Sequence, residues 1–526
     1  MKNILFAIIA ICLLWACYDD ESKLPTIDYP TIVADKTGES QYLMTSIGEE
    51  FTYEPRLYRL EGRDSVPLTE SELDDYNYEW TMSLVANPSD TAREVISNER
   101  VLETLINIAP TNDAYSFYTL TLTLTHKVSG FRKNLIWEMK VLGVYGAGLL
   151  VAETEDGENS DLSLIMSRTF NTLLGSYEDD TVYHNIYSKH NNALIPGSVT
   201  SLSYIADRSS GYAAITAVAP GKSIVRIDPV TMEFMDKNKE CFYYTPDVFN
   251  PQVEFESYTT SLLINNGQLQ YYYPLYGTKY SYYPQTDYNL APIGAVGLDW
   301  AGGIFWDRNG EQFVYNPPKS TSVWPLDIVI AEGFNPLEMQ GHEAIHAEAV
   351  TTTRTWWLMK KDGQYYAYLL EYNTNWDTEE NYAKGLEMYS LESCPDIADA
   401  SCFTFSKNKE LFYGVGNILY AVPLSGSKPS ATPVYTEMQG NITHLLTYRG
   451  TGYTSWNGTM NTETGEVDYT WQNAKDRVIC AATWDGKEGR VYTLPIQYTG
   501  VGGIADKAFV NCYDNFKRIT KIAPRK

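Results

Sequence analysis

Residues 355–372 read TWWLMKKDGQYYAYLLEY, and the rest of the chain is best understood from this stretch. Two runs of aromatic and aliphatic residues face each other across Asp362 and Gly363. An Asp-Gly pair suits a type I′ turn, because both central positions need positive φ and both residues tolerate it. With strand formers on either side, the pattern predicts a β-hairpin. Trp356 and Trp357 are adjacent, so on a strand one points to each face.

The same unit recurs six more times. Turns fall at Asp156-Gly157 within 149–166, Pro220-Gly221 within 212–227, Asn266-Gly267 within 261–273, and Asn309-Gly310 within 303–315. Two more fall near Gly416-Asn417 within 411–423 and at 485–489 within 478–495. The seven turns lie roughly 43 to 71 residues apart, which is repeat-like spacing. Each hairpin supplies two strands and each interval has room for about two more. The expected architecture over 144–526 is therefore a seven-bladed β-propeller, with residues 509–522 closing the ring against 146–151. The alternative is a large irregular β-sandwich or two smaller β-domains.

Composition sets the outer limits. The chain has 526 residues, 44% apolar and 20% charged, which is globular rather than disordered. Its formal net charge of −26 would be repelled by phosphate backbones, so nucleic acid is not an expected partner. Aromatics make up 13%, with 42 tyrosines.

Lys2 precedes an almost wholly apolar run over 4–16, the h-region of a signal peptide and too short to span a bilayer as a helix. The run ends Leu14-Trp15-Ala16-Cys17, which resembles a bacterial lipobox with Cys17 as the lipidated residue. Residues 1–16 are read as the leader and 17–30, opening YDDES after the cysteine, as an acidic tether. The tether resembles those that send lipoproteins of Bacteroidota to the outer face of the outer membrane.

Residues 31–143 alternate in short strands. The clearest is YTLTLTLT at 118–125, with leucines to one side and threonines to the other, as in a sheet with one wet face. With Trp80 central and no cysteine pair beside it, an immunoglobulin-like sandwich is expected. Trp80 and the YTLTLTLT run resemble the PKD-like domains of bacterial surface proteins. Together with the leader, Cys17 and a propeller that opens GLLVAETEDGENSDLSLI at 148–165, the whole chain resembles the PKD-like family lipoproteins of Bacteroidota. That resemblance implies an accessory role beside outer-membrane importers of the SusC/SusD type, with an oligosaccharide or peptide as ligand, no catalysis and no cofactor. An adhesin is the alternative among binding proteins.

One motif points to chemistry instead. His342-Glu343-Ala344-Ile345-His346 matches HExxH, in which two histidines one helical turn apart hold zinc and the glutamate activates water. A surface zinc metallopeptidase is accordingly the alternative of another class. The context opposes it: Gly341 precedes the motif, and the strand run at 352–359 follows closely, leaving no room for a three-turn helix. The competing expectation is a polar connector with both histidines solvated. The DGENSD sequence at 156–161 lacks the ordered spacing of an EF-hand and is read as a hairpin turn.

Five cysteines lie beyond Cys17, none in a CxxC pair. Cys394 and Cys402 could close a short loop, or all five could stay free. Finally, YYYPLYGTKYSYYPQTDY at 271–288 holds eight tyrosines broken by Pro274, Gly277 and Pro284, so it reads as a loop. Tyr276, Tyr280, Tyr282 and Tyr283 are the sequence's candidates for contact with a sugar, peptide or partner. Packing of these rings between blades is the alternative.

Overall fold

The computed structural model describes residues 31–525 apart from 36–42, 84–91, 109, 111–116, 172–179, 208–211, 257–259, 273–276, 278, 282–286, 298–301, 318–319, 321, 376–379 and 461–466. The leader, Cys17 and the tether lie outside these residues. The chain divides into two compact units, Met1–Gly143 and Val144–Lys526.

The first unit is built on alternation. Tyr118–His126 pairs with Arg132–Leu142 on one side and Tyr76–Ser83 on the other, in a five-stranded sheet edged by Leu43–Ser46 and Arg93–Ser97. Leu120, Leu122 and Leu124 are fully buried, while Thr119 and Thr123 are partly exposed. Thr31–Ala34, Leu57–Glu61 and Asp64–Pro67 form a second sheet. Ile32, Ala34 and Leu57 from that sheet share one core with Trp80 and the leucines. Trp80 has a ring partner that composition alone did not single out: Trp137, with centroids 5.6 Å apart. The indole N–H of Trp80 donates to the Glu99 carbonyl at 3.1 Å, so this buried donor is satisfied.

Among the described residues, the second unit forms seven successive sheets of three to five strands. All seven expected hairpins are present. In each sheet they supply the second and third strands counted from one edge, from Gly148–Thr154 with Asn159–Met166 to Val478–Trp484 with Gly489–Tyr498. The turn at Asp362 and Gly363 has φ of 49° and 81°, and Asn266 and Gly267 have 51° and 72°, as type I′ requires.

The strands at that edge are Arg518–Arg525, Ser201–Asp207, Pro251–Glu256, Leu290–Val296, His342–Ala349, Cys402–Ser406 and Asn441–Thr447. Each lies beside the next, and Asn441–Thr447 returns to Arg518–Arg525, so the seven make a closed cycle. The C-terminal strand Arg518–Arg525 pairs antiparallel with Gly148–Thr154, the first strand of the unit, and so completes the first sheet.

Seven core clusters fill the seven gaps between neighbouring sheets, because the hairpin strands bury both faces. Trp356, with Leu358 and Leu369, packs toward Phe405 and Tyr413 of the sixth sheet. Trp357, with Met359 and Tyr368, packs toward Trp306 and Phe313 of the fourth. Both indoles are core. Strands buried on both faces read as near-continuous apolar runs, which is why the hairpin sequences are so aromatic. The gap between the seventh and first sheets is filled from both chain ends: Leu149 and Val151 meet Val478, Cys480, Ile519 and Ile522.

Candidate functional site

The HExxH residues are on a strand, not a helix. His342–Ala349 pairs antiparallel with Arg354–Lys361, and the register slips by one residue between Ala344 and His346. That bulge decides the geometry. On a regular strand, residues four apart share a face, but one extra residue sends them to opposite faces. His342 therefore points toward the fourth sheet. Its Nδ1 lies 2.8 Å from the Met339 carbonyl and its Nε2 2.9 Å from the Tyr368 hydroxyl. Since a carbonyl only accepts, Nδ1 carries the proton and Nε2 accepts from Tyr368. Burial holds the His342 imidazole below its ordinary value and pushes the Tyr368 phenol up to about 12.

His346 points the other way, with its ring 6.1 Å from that of Phe405. Its Nε2 lies 2.8 Å from Glu348 Oε1. Neither histidine is the solvated residue of a polar connector: His342 is buried and His346 half-buried. Glu343 is exposed. The two imidazoles do not converge on one ion. Among the described residues, no group of three or more His, Cys, Asp or Glu side chains could hold a metal.

His346 instead begins an ionic chain that crosses three sheets. Glu348 Oε2 accepts from Arg449 Nη2 at 2.7 Å, and the same Nη2 donates to the Phe405 carbonyl at 2.6 Å. Arg449 Nε lies 3.5 Å from Asp476 Oδ1, and Lys407 Nζ lies 3.1 Å from Asp476 Oδ2. Burial pushes the Glu348 carboxyl up, but the Arg449 guanidinium and the bond from His346 outweigh it and hold it at about 2. These ion pairs tie the fifth, sixth and seventh sheets together, although Arg449 Nε and Asp476 Oδ1, 3.5 Å apart, make no hydrogen bond.

Of the four tyrosines singled out, Tyr276, Tyr282 and Tyr283 lie outside the described residues. Tyr280 is fully buried, which corrects its candidacy as a contact residue. Its hydroxyl donates to Glu254, which also accepts from Ser203 and Ser261. Arg226 lies 5.8 Å from its ring centroid and forms a 2.6 Å ion pair with Asp236. A carboxylate and a guanidinium beneath the second and third sheets need such partners, and Tyr280 supplies one. Cys241, Cys394, Cys402, Cys480 and Cys512 are all free thiols.

An open, chemically mixed groove of the second unit lies where the first and seventh sheets meet, and the first unit carries another, of about 540 Å³, lined by Glu54, Arg56, Tyr58, Tyr78 and Arg100. The former, of about 200 Å³, is lined by Arg168, Asp180, Tyr469, Trp471, Phe509 and Asn511, with Thr454, Ser455 and Thr493 at its base. Tyr469 and Trp471 are each 44% exposed, and their centroids are 5.6 Å apart. Phe509 meets Tyr469 edge-on at 6.0 Å. The Arg168 guanidinium lies 4.4 Å over the Trp471 ring. Asp180 Oδ2 accepts from the Tyr513 hydroxyl at 2.7 Å, which fixes the carboxylate at the rim.

Local chemistry holds the aromatic arm in place. Tyr453 N–H donates to the Arg168 carbonyl at 2.9 Å, and Tyr448 Oη donates to the Thr451 carbonyl at 2.7 Å. Ser455 Oγ lies 2.7 Å from the Asn457 carbonyl and 2.9 Å from that of Thr470, bridging the two limbs. Gly452 permits this docking, since a Cβ there would lie 1.9 Å from the Thr169 carbonyl oxygen. No hairpin was expected over 449–477, yet Tyr453 and Tyr469 lie on two short two-stranded ladders, and the signal in the sequence was the density of rings at Tyr453, Trp456, Tyr469 and Trp471.

No protein-family model matches the chain, and no curated protein matches it. Among solved structures it is similar to an auxiliary nutrient binding protein from Bacteroides thetaiotaomicron VPI-5482, at 13% identity over 94% of this chain and 90% of that one, with a TM-score of 0.29. A second auxiliary nutrient binding protein, from Bacteroides ovatus ATCC 8483, is 11% identical over 94% and 98% of the two chains, with a TM-score of 0.30. The β-propeller domain of Myceliophteria thermophila Cps50 (Swd1) is 10% identical over 58% and 85%, with a TM-score of 0.29.

Proposed function

We propose that this chain is a non-catalytic accessory binding protein held at the outer surface of the outer membrane through lipid on Cys17. In this reading a PKD-like sandwich is followed by a seven-bladed β-propeller, and the protein presents an oligosaccharide or peptide to an importer of the SusC/SusD type. The lipobox-like LLWAC and the acidic tether support the anchor. Seven sheets whose edge strands touch in a cycle, closed by Arg518–Arg525 on Gly148–Thr154, support the propeller.

The observation that carries the binding role is the groove beside Trp471. Two large aromatic rings stand exposed side by side next to a guanidinium, a carboxylate and an amide. A concave surface mixing exposed rings with a few fixed polar groups is the ordinary composition of a ligand site. The split of His342 and His346 to opposite faces favours a binding protein over a zinc peptidase.

Purifying the tagged full chain in mild detergent and identifying co-purifying proteins tests the accessory role. Recovery of importer subunits is expected with the wild type and is lost with Cys17→Ala. Recovery of none from wild-type membranes would overturn the role.

A further inference from the structure

Resting on the reading of the groove as a ligand site, we infer that it takes one sugar ring of a neutral oligosaccharide rather than a peptide. Size is the first argument. A volume of about 200 Å³ lies below the range of pockets that enclose whole drug-sized ligands, and suits a single ring with the remainder of the chain outside.

The arrangement of polar groups is the second. Arg168, Asp180 and Asn511 are all planar side chains with two hydrogen-bonding atoms side by side, the geometry that grips adjacent hydroxyls on a ring. The Arg168 guanidinium is held 4.4 Å over the Trp471 ring, which places its N–H donors beside the exposed indole. Tyr469 and Trp471 supply apolar surface for the C–H face of a ring at low entropic cost.

Charge is the third. Arg168 and Asp180 balance, so the groove has no net charge with which to select an acidic or basic ligand. The buried lining residues Thr454, Ser455 and Thr493 carry hydroxyls, and Pro495 and Ala508 add only small apolar surface beside them.

The test applies the full chain, in mild detergent, to an array of neutral and acidic oligosaccharides and, in parallel, to a library of short peptides. Neutral glycans are expected to bind, and Trp471→Ala to weaken them by roughly tenfold or more. Asn511→Ala, at an exposed position outside the core, is expected to weaken the same glycans. Unchanged thermal unfolding of both variants would show that the fold is kept. Peptide binding lost in Trp471→Ala would overturn the ligand class while leaving the site. Glycan binding that survives Trp471→Ala would overturn the site. Binding to neither panel would sink both the class and the reading on which it rests.

Discussion

Replacing Glu348 with Gln removes one charge from the chain that ties three sheets, and its cost can be worked in two ways. The carboxyl is held at about 2 against an ordinary 4.5, a difference of about 2.5 units. At about 1.4 kcal/mol per unit, the charged form stabilises the fold by about 3 kcal/mol at neutral pH. Independently, removing one partner of a buried ion pair costs about 3–5 kcal/mol, and the 3.5 Å contact with Asp476 left to Arg449 places this case at the lower end. Both partners are nearly buried, at 13% and 14% exposed, so solvent screening takes little from either figure. Urea unfolding at pH 7 should therefore show Glu348→Gln destabilised by about 3 kcal/mol.

The pH dependence supplies a second readout. The folded value lies below the unfolded one, so the contribution is complete above about 4.5 and is lost as pH falls toward 2. By pH 3.5 a substantial part of the difference between wild type and variant should have gone. Adding Arg449→Met to Glu348→Gln should restore part of the loss, since it removes the guanidinium that lost its partner while Asp476 keeps Lys407 at 3.1 Å. A difference under about 1 kcal/mol at pH 7, or one that does not shrink by pH 3.5, would refute the ionic account.

Two further outcomes follow from other parts of the fold. Ile522 is 1% exposed in the core between the first and seventh sheets. Ile522→Ala should cost about 2–5 kcal/mol in urea unfolding, and a loss under about 1 kcal/mol would mean that the C-terminal strand does not close the ring. His342 is buried neutral, with its value below the ordinary 6.5. The unfolded chain thus binds the proton more readily, so His342's contribution is complete above about pH 6.5 and falls as pH drops below it. Differential stability between pH 7 and 5 should flatten in His342→Gln, and equal slopes in the two proteins would contradict the neutral buried ring.

The hairpins were legible because their information is local. Asp362-Gly363 and Asn266-Gly267 dictate a turn from their own backbone preferences, and the flanking residues declare strands without reference to the rest of the chain. Closure by the C-terminal residues was legible in part: of the expected 509–522, Arg518–Arg525 joins the first sheet, whereas Asn511–Phe516 pairs with Gly489–Tyr498 in the seventh. The HExxH was misleading for the opposite reason. Its spacing is the same on helix or strand, and a single bulged residue at Ile345, invisible in composition, sends the two imidazoles to different cores. Tyr280 looked available in a loop rich in tyrosine, yet Glu254, some 26 residues earlier, claims its hydroxyl.

The groove beside Trp471 marks the same boundary. Sequence alone places Tyr453, Trp456, Tyr469 and Trp471 close together in the chain, but it does not say what they face. Only the tertiary structure brought Arg168 and Asp180 from the first sheet to Trp471, Phe509 and Asn511 near the last, because ring closure is what makes the two ends of the unit neighbours. Backbone preference and burial pattern act over a few residues, and so the sequence carries them directly. A binding surface assembled from both ends of a closed cycle exists only once the cycle has formed.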